Sequence, residues 1–309
     1  MNRLLLQLTG QAENRFYGHV DVLAQYCGIN QTPWINGYIQ HGWNGCDGFS
    51  HYAGHKRISK KFIWSKRAQK DQEALGGKNN FVIGSPWLYN LKMKKISKIS
   101  NPENKVIAYP LHSQPWAPKN YLHSEYAQYL KSKFGSVTVS LHWSEFSNQE
   151  VRNVYQDFGH LIVTNGVGTP WLPNFKKDFL TIQANYLANH SILTTNAMQT
   201  AVLYAMSLGL EIDFGGPASW TKKIDETGTY GNYGQQFWKD QVKNAYEETW
   251  KNELGLIEQK QVDELKHILG LERITLNLSF LLTRSIDLIR DTKFSEKIDY
   301  LKSMIIRRK

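Results

Sequence analysis

The sequence predicts an α/β protein of two lobes, each built on a parallel sheet, with a helical C-terminal segment. Three observations carry this. The chain has 309 residues, more than one core of ordinary size needs and enough for two. Short apolar or β-branched runs, each closed by turn residues, recur through the first two thirds. Helical patterns separate several of these runs, an alternation that builds parallel sheets and seats ligands beyond the carboxyl ends of the strands.

The runs are Gly37–Gln40 ahead of His41-Gly42, Lys61–Trp64 ahead of Ser65, and Phe81–Ile83 ahead of Gly84-Ser85-Pro86. Lys105–Tyr109 follows and ends at Pro110, then Ser136–Ser140 ahead of Leu141-His142, and His160–Val163 ahead of Thr164-Asn165-Gly166. Between them Tyr121–Phe134 and Asn148–Phe158 read as helices. A strand through Leu193 that ends in hydroxyl residues is expected to lead into a helix over Ala197–Leu208, with Thr194, Thr195 or Asn196 as its cap. Leu210–Phe214 reads as a further strand before a Gly-Gly-Pro turn. Beyond Tyr233 the pattern is helical, with amphipathic stretches at Gln235–Leu254 and Gln259–Leu269. The basic, polar stretch Lys92–Asn104 marks a boundary, so the expected lobes are 1–100 and 101–232, with a segment 233–309 packed on them.

Composition narrows the chemistry. With 41% hydrophobic and 21% charged residues, disordered and fibrous classes are excluded. Ten Trp and sixteen Tyr are core material first, but flat rings also stack on sugars and nucleobases. A net charge of +10 favours an anionic partner, either a phosphorylated ligand or an anionic membrane surface. The basic residues are dispersed, apart from runs at Lys92–Lys98 and Arg307–Lys309, so nucleic acid is not an expected partner. Two cysteines, Cys27 and Cys46, make no disulfide framework and fit a cytoplasmic setting. The apolar run at Leu4–Leu8 is too short for a secretory signal, and no stretch has the length of a membrane span.

Three clusters could do chemistry. Gln40–Gly48 follows a strand and holds three glycines, His41 and Asp47; glycine lets backbone approach a ligand, and His41 or Asp47 could take a proton from a hydroxyl. Tyr109–Trp116 follows another strand, where His112 and Ser113 could hydrogen-bond a phosphate and a protonated His112 could stabilise it as a leaving group. Leu193–Ala201 brings Thr194, Thr195, Asn196 and Thr200 to a helix start, where free N–H groups and the helix dipole attract phosphate. The plain alternatives are an ordinary glycine turn, a core Trp116 and a simply capped helix. Leu141–Glu145 and Thr164–Gly168 are expected to line the same cleft. Walker, dinucleotide and Gly-x-Ser-x-Gly signatures are absent, which disfavours nucleotide hydrolysis, dinucleotide redox and serine hydrolase chemistry. His51 and His55 lack the companions of a metal site.

In this order the motifs resemble those of bacterial surface-polysaccharide transferases of the GT-B type, with two Rossmann-like lobes, that use cytidine-nucleotide donors. The likeness spans roughly residues 36–217. His41-Gly42, Gly84-Ser85-Pro86, Tyr109-Pro110 and Thr194–Asn196 are similar to motifs of the CDP-glycerol polyol-phosphate transferases. Asp47-Gly48, His112 and Thr194-Thr195 are similar to those of the sialyl- and Kdo-type transferases, with Cys46 and Ser113 departing from the pattern. Trp87 after Pro86 departs from the polyol branch and favours a CMP-nonulosonate donor. The resemblance implies an inverting transferase that moves a nonulosonic or Kdo-like sugar from a CMP-sugar to a carbohydrate or lipid-linked acceptor, without metal or further cofactor. His41, Asp47 and His112 would be catalytic; Ser113, Gly84, Ser85, Thr194, Thr195, Asn196 and Thr200 would hold the donor. The alternatives left open are a polyol-phosphate transferase and a non-catalytic nucleotide- or carbohydrate-binding protein. The basic tail from Ile274 would either pack on the core or grip the inner face of the cytoplasmic membrane.

Overall fold

The computed structural model describes residues 11–43, 60–74, 76–102, 105–112, 123–217, 254–255 and 259–271. These form an α/β structure with two wholly parallel sheets. The first holds β1 (Tyr38–Ile39), β2 (Lys61–Ile63) and β3 (Asn80–Val82), side by side in chain order. The second holds β4 (Val106–Ala108), β5 (Thr138–Ser140), β6 (Leu161–Val163), β7 (Ile192–Thr195) and β8 (Glu211–Phe214), in the order β6-β5-β4-β7-β8. The chain moves outward from β4 to β6, returns to the other side of β4 and moves outward again. The order therefore reverses between β4 and β7, the position at which open α/β sheets bind ligands.

Alternation along β4 shows how both faces of this sheet are covered. Ile107 and Tyr109 enter the large core, which extends across the first sheet through Ile39 and Phe62. Val106 and Ala108 point the other way, into a smaller cluster that rests on α5 (His123–Phe134) and α7 (Gln149–Asp157). The opposite face is closed by α8 (Phe179–Ala188) and α9 (Thr200–Ser207). Remaining helices are α1 (Gln11–Arg15), α2 (His19–Tyr26), α3 (Lys66–Ala74), α4 (Pro86–Lys94), the single turn α6 (Trp143–Phe146) and α10 (Val262–Leu269).

Helix α1 docks on the chain around β1 through polar side chains. The Gln11 amide donates to the Ile35 carbonyl at 2.7 Å and accepts from the Ile35 N–H at 2.9 Å. One turn on, the Asn14 amide donates to the Gly37 carbonyl and accepts from the Ile39 N–H. Both residues are buried. Their i, i+3 spacing supplies partners to successive backbone groups that, among the described residues, no fourth strand pairs.

Helix α4 joins the two sheets. Ser85 caps it and Pro86 occupies its first turn, where a missing N–H is harmless. Trp87 stacks on Tyr204 of α9 at 4.2 Å and 6°, and its indole N–H donates to the Ser207 hydroxyl at 2.7 Å. Thr181 of α8 donates to Asn90 of α4 at 2.8 Å.

Two expectations shift. The helix placed over Ala197–Leu208 begins three residues later, at Thr200, with Gln199 at the N-cap and no side-chain cap. The C-terminal amphipathic helix is shorter than expected, Val262–Leu269, while residues 235–253 and the basic tail lie outside the described residues. Among those described, no helix is long and apolar enough to cross a membrane.

Candidate functional site

The loops at the reversal of strand order are tied to one another. After β4, the Leu111 N–H donates to the Asn196 side chain at 2.9 Å. After β7, the Gln199 amide donates to the Tyr109 carbonyl at 2.8 Å, and the Thr195 hydroxyl reaches that carbonyl at 2.8 Å. The crevice between β4 and β7 thus has a fixed floor.

The turn after β1 closes over the start of α9. Gln40 is buried and holds the turn, donating to the Gly42 carbonyl at 3.1 Å and accepting from the Trp64 N–H at 2.8 Å. The Trp43 N–H donates to the Thr200 hydroxyl at 3.0 Å. A Cβ on Gly42 would lie 2.8 Å from that oxygen, so this approach demands glycine. Two motifs 157 residues apart, the His-Gly turn and the helix start, therefore meet through Thr200.

His41 sits edge-on to Phe16 at 4.8 Å and beside Tyr17 at 5.2 Å. Its Nδ1 is buried with no hydrogen-bond partner among the described residues. Burial pushes its pKa down to about 4, so the ring is neutral at pH 7 and able to accept a proton, though as a weak base. Asp47 lies outside the described residues, as do Ser113, Cys46, His51 and His55.

His112 meets a residue expected only to line the cleft. Its ring packs against His142, from the loop after β5, at 4.2 Å and 61°. Burial pushes His112 down to about 4; His142 falls to about 2, by burial first and by His112 second. The His142 Nδ1 is 2.7 Å from the Ser144 hydroxyl and caps α6. Deeper in, the His123 Nδ1 lies 3.0 Å from the Tyr155 hydroxyl and its Nε2 lies 3.8 Å from Glu145, with burial driving His123 to about 4. Two neutral imidazoles thus face each other at neighbouring strand ends. His112 is neutral rather than the expected cation, because burial in low dielectric opposes the charge. An anion arriving there would restore it. His142 is detectable in sequence: it follows its strand just as His112 follows the strand beside it.

The remaining expected donor contacts fare differently. Thr194 is fully buried and its hydroxyl donates to Asp213 at 2.9 Å, a carboxylate that also takes Tyr129 at 3.1 Å and Lys133 at 2.6 Å. Thr195 is fully buried too, and its hydroxyl serves the Tyr109 and Ala197 carbonyls. Asn196 gives its oxygen to Leu111 and its amide nitrogen to the Pro217 carbonyl. These three side chains shape the crevice and have their polar atoms committed within it. Gly84 (φ 82°) and Ser85 form the turn and cap ahead of α4 and lie beneath Leu254-Gly255, whose Leu254 carbonyl accepts from the Ser85 N–H at 3.0 Å. As placed, they are covered. Of the expected donor-binding residues described, Thr200 alone stands at the helix start beside the turn.

No protein-family model matches the chain, and no curated protein matches it. Solved structures do. A protein assigned as a UDP-N-acetylglucosamine 2-epimerase from Listeria monocytogenes aligns at TM-score 0.41 and 12% identity, covering 69% of this chain and 58% of the other. A TarM variant from S. aureus, in complex with fondaparinux, α-GlcNAc-glycerol and UDP, aligns at 0.32 and 11%, covering 81% and 49%. HepE from Anabaena, in complex with UDP and glucose, aligns at 0.28 and 14%, covering 75% and 62%. The chain spans about half to three fifths of the length of these proteins. At such scores the α/β class rests on the chain's own sheet topology.

Proposed function

We propose that the chain is a glycosyltransferase that binds a nucleotide-activated sugar at the β4–β7 crevice. What supports this is the tying of the loop after β4, which carries His112 packed on His142, to the loop after β7, whose helix α9 seats the His41–Trp43 turn at its start. The donor we favour is a CMP-activated nonulosonic or Kdo-like sugar, on the motif order set out above and the net charge of +10. The acceptor is a carbohydrate, free or lipid-linked, in surface-glycan synthesis.

In this reading the acceptor hydroxyl attacks the anomeric carbon from the face opposite the phosphate. His41 or Asp47 takes the hydroxyl proton as the new C–O bond forms. The bond from the anomeric carbon to the phosphate oxygen breaks, and its electron pair leaves with CMP. His112 takes up a proton from solvent as the donor phosphate binds beside it, since an adjacent anion reverses the penalty that burial imposes on its charge, and the resulting cation stabilises CMP as it leaves. The N–H groups at the start of α9 face the same negative charge.

The test is a panel of CMP-sialic acid, CMP-Kdo, CDP-glycerol and UDP-N-acetylglucosamine incubated with the full chain and an oligosaccharide acceptor, with release of free nucleotide followed. Turnover of a CMP-sugar that is lost in His112→Ala, with an unchanged melting curve, supports the proposal. Full activity in that variant overturns the mechanism. CMP binding with no turnover of any donor overturns the transferase reading in favour of a nucleotide-binding protein.

A further inference from the structure

The ring of His142 has its hydrogen placed by the backbone. His142 stands just beyond β5 and caps the single turn α6, where its Nδ1 accepts from the Ser144 N–H at 3.4 Å. A peptide N–H can only donate, so the lone pair of Nδ1 is in use and that nitrogen carries no hydrogen. The Ser144 hydroxyl, 2.7 Å from the same nitrogen, then donates to it as well. A neutral imidazole with a bare Nδ1 carries its hydrogen on Nε2. Burial first, and His112 second, push the His142 pKa down to about 2, so the ring keeps this neutral form at any pH near neutrality.

The Nε2 end of the ring is the end left open. It makes no hydrogen bond among the described residues, and His142 is only partly buried. Both nitrogens of His19 and the Nδ1 of His41 are sealed from solvent without partners; the Nε2 of His142 is not among such atoms. His112 packs on the ring at 4.2 Å, and Trp143 lies 5.2 Å from it. The other titratable groups of this corner, Glu145 and Tyr155, are turned to His123, at 3.8 Å and 3.0 Å. Among the described residues no carboxylate pairs with His142.

What His142 offers is therefore an oriented, uncharged N–H and no lone pair. A metal ion needs the free lone pair that Nε2 lacks in this form. A phosphate oxygen needs N–H donors, and gains most from those already held in place, because they do not reorganise when it arrives. His112 is the complementary neighbour, since it gains its proton only once an anion is beside it.

We infer that His142 is a phosphate-binding residue of the donor site, giving a permanent Nε2–H hydrogen bond to a phosphate oxygen of the nucleotide while His112 supplies a charge that comes and goes with it. The position of the hydrogen stands on the structure alone. The phosphate role rests on the proposed donor site.

The experiment separates the capping nitrogen from the donating one. In His142→Asn the shorter amide can still cap α6 but presents no N–H where Nε2 stood. In His142→Gln the longer amide carries an N–H to that position and caps poorly. CMP is titrated by calorimetry into the full chain and into each variant at intervals from pH 7.5 to 5.5, beside melting curves. His142→Asn is expected to melt near the unaltered chain and to bind CMP about tenfold or more weakly. His142→Gln should melt lower but weaken binding by about threefold or less, since one hydrogen bond is kept. Affinity should still rise towards pH 5.5 in both, because His112 remains. Nitrogen-15 spectra of the histidine rings in the unaltered chain should show His142 protonated on Nε2 and not titrating in that range, and its Nε2 hydrogen should shift when CMP is added.

CMP binding by His142→Asn as tight as that of the unaltered chain would overturn the inference and leave the ring a helix cap. A hydrogen on Nδ1, loss of the pH trend in either variant, or an Nε2 hydrogen unmoved by CMP would overturn it too, the spectra deciding even if a variant fails to fold. In each of these cases CMP still binds, so the donor site survives. No binding of CMP to the unaltered chain at millimolar concentration overturns the phosphate role together with the donor site.

Discussion

Acidification below pH 6.5 is expected to destabilise the fold through histidines held neutral in packed surroundings, and His19 isolates the effect. Its ring is fully buried, 5.8 Å from both Tyr17 and Trp64. Burial, with a smaller contribution from His41, pushes its pKa down to about 3. An unfolded histidine titrates near 6.5. Between pH 6.5 and 4 the unfolded chain therefore binds a proton at this position that the folded chain refuses. The stability it contributes is complete above pH 6.5 and is lost as the pH falls, by about 1.4 kcal/mol per pH unit, or about 3 kcal/mol by pH 4. The comparison to make is urea unfolding of the wild type and of His19→Leu at intervals from pH 7.5 to 4. Leucine has a similar volume and no proton to take. The wild type should lose stability faster than the variant by about one proton's worth of slope across that window. Parallel curves would refute the assignment of His19 as a buried neutral ring. His41, held at about 4, and His112, His123 and His142 remain in both proteins and cancel.

Three further outcomes are expected. Gly18→Ala should destabilise the chain by at least about 2 kcal/mol in thermal melts, because the added methyl meets the Lys177 carbonyl at 2.1 Å on left-handed backbone. Thr200→Val, isosteric but unable to accept from the Trp43 N–H at 3.0 Å, should lower stability by about 1 kcal/mol and speed amide exchange at Trp43. CMP affinity, measured by calorimetry, should rise as the pH falls from 7 towards 5. A bound phosphate raises the His112 pKa from about 4, so binding takes up a proton; the trend should vanish in His112→Ala.

How far the sequence reveals this depends on where partners sit in the chain. The strands are local: each run ends at a polar turn, and seven of the eight strands fall within the expected runs or at most a residue beyond them, while β7 carries the strand expected through Leu193 on to Thr195. Thr194, Thr195 and Asn196 look like a helix cap because hydroxyls and amides commonly cap helices. Their actual partners are Asp213, 19 residues on, and Tyr109 and Leu111, about 85 residues back, and no local pattern encodes those. Gln11, Asn14, Arg15 and Asp21 belong to residue types that are mostly exposed, yet all are buried, three of them against backbone or side chains more than ten residues away. Ser85-Pro86 suits a helix start as well as the strand-closing turn expected there, and it opens α4.

The stack of Trp87 on Tyr204 bears on how the molecule can move. A three-stranded parallel sheet this small has little capacity to stand alone, and here its helix α4 shares aromatic and hydrogen-bonded contacts with α8 and α9 of the larger sheet. Swinging one sheet against the other as a rigid body would have to break a dry interface. Substrate entry and exit are therefore expected to fall to the loops beyond the strand ends, with the scaffold melting in one cooperative step.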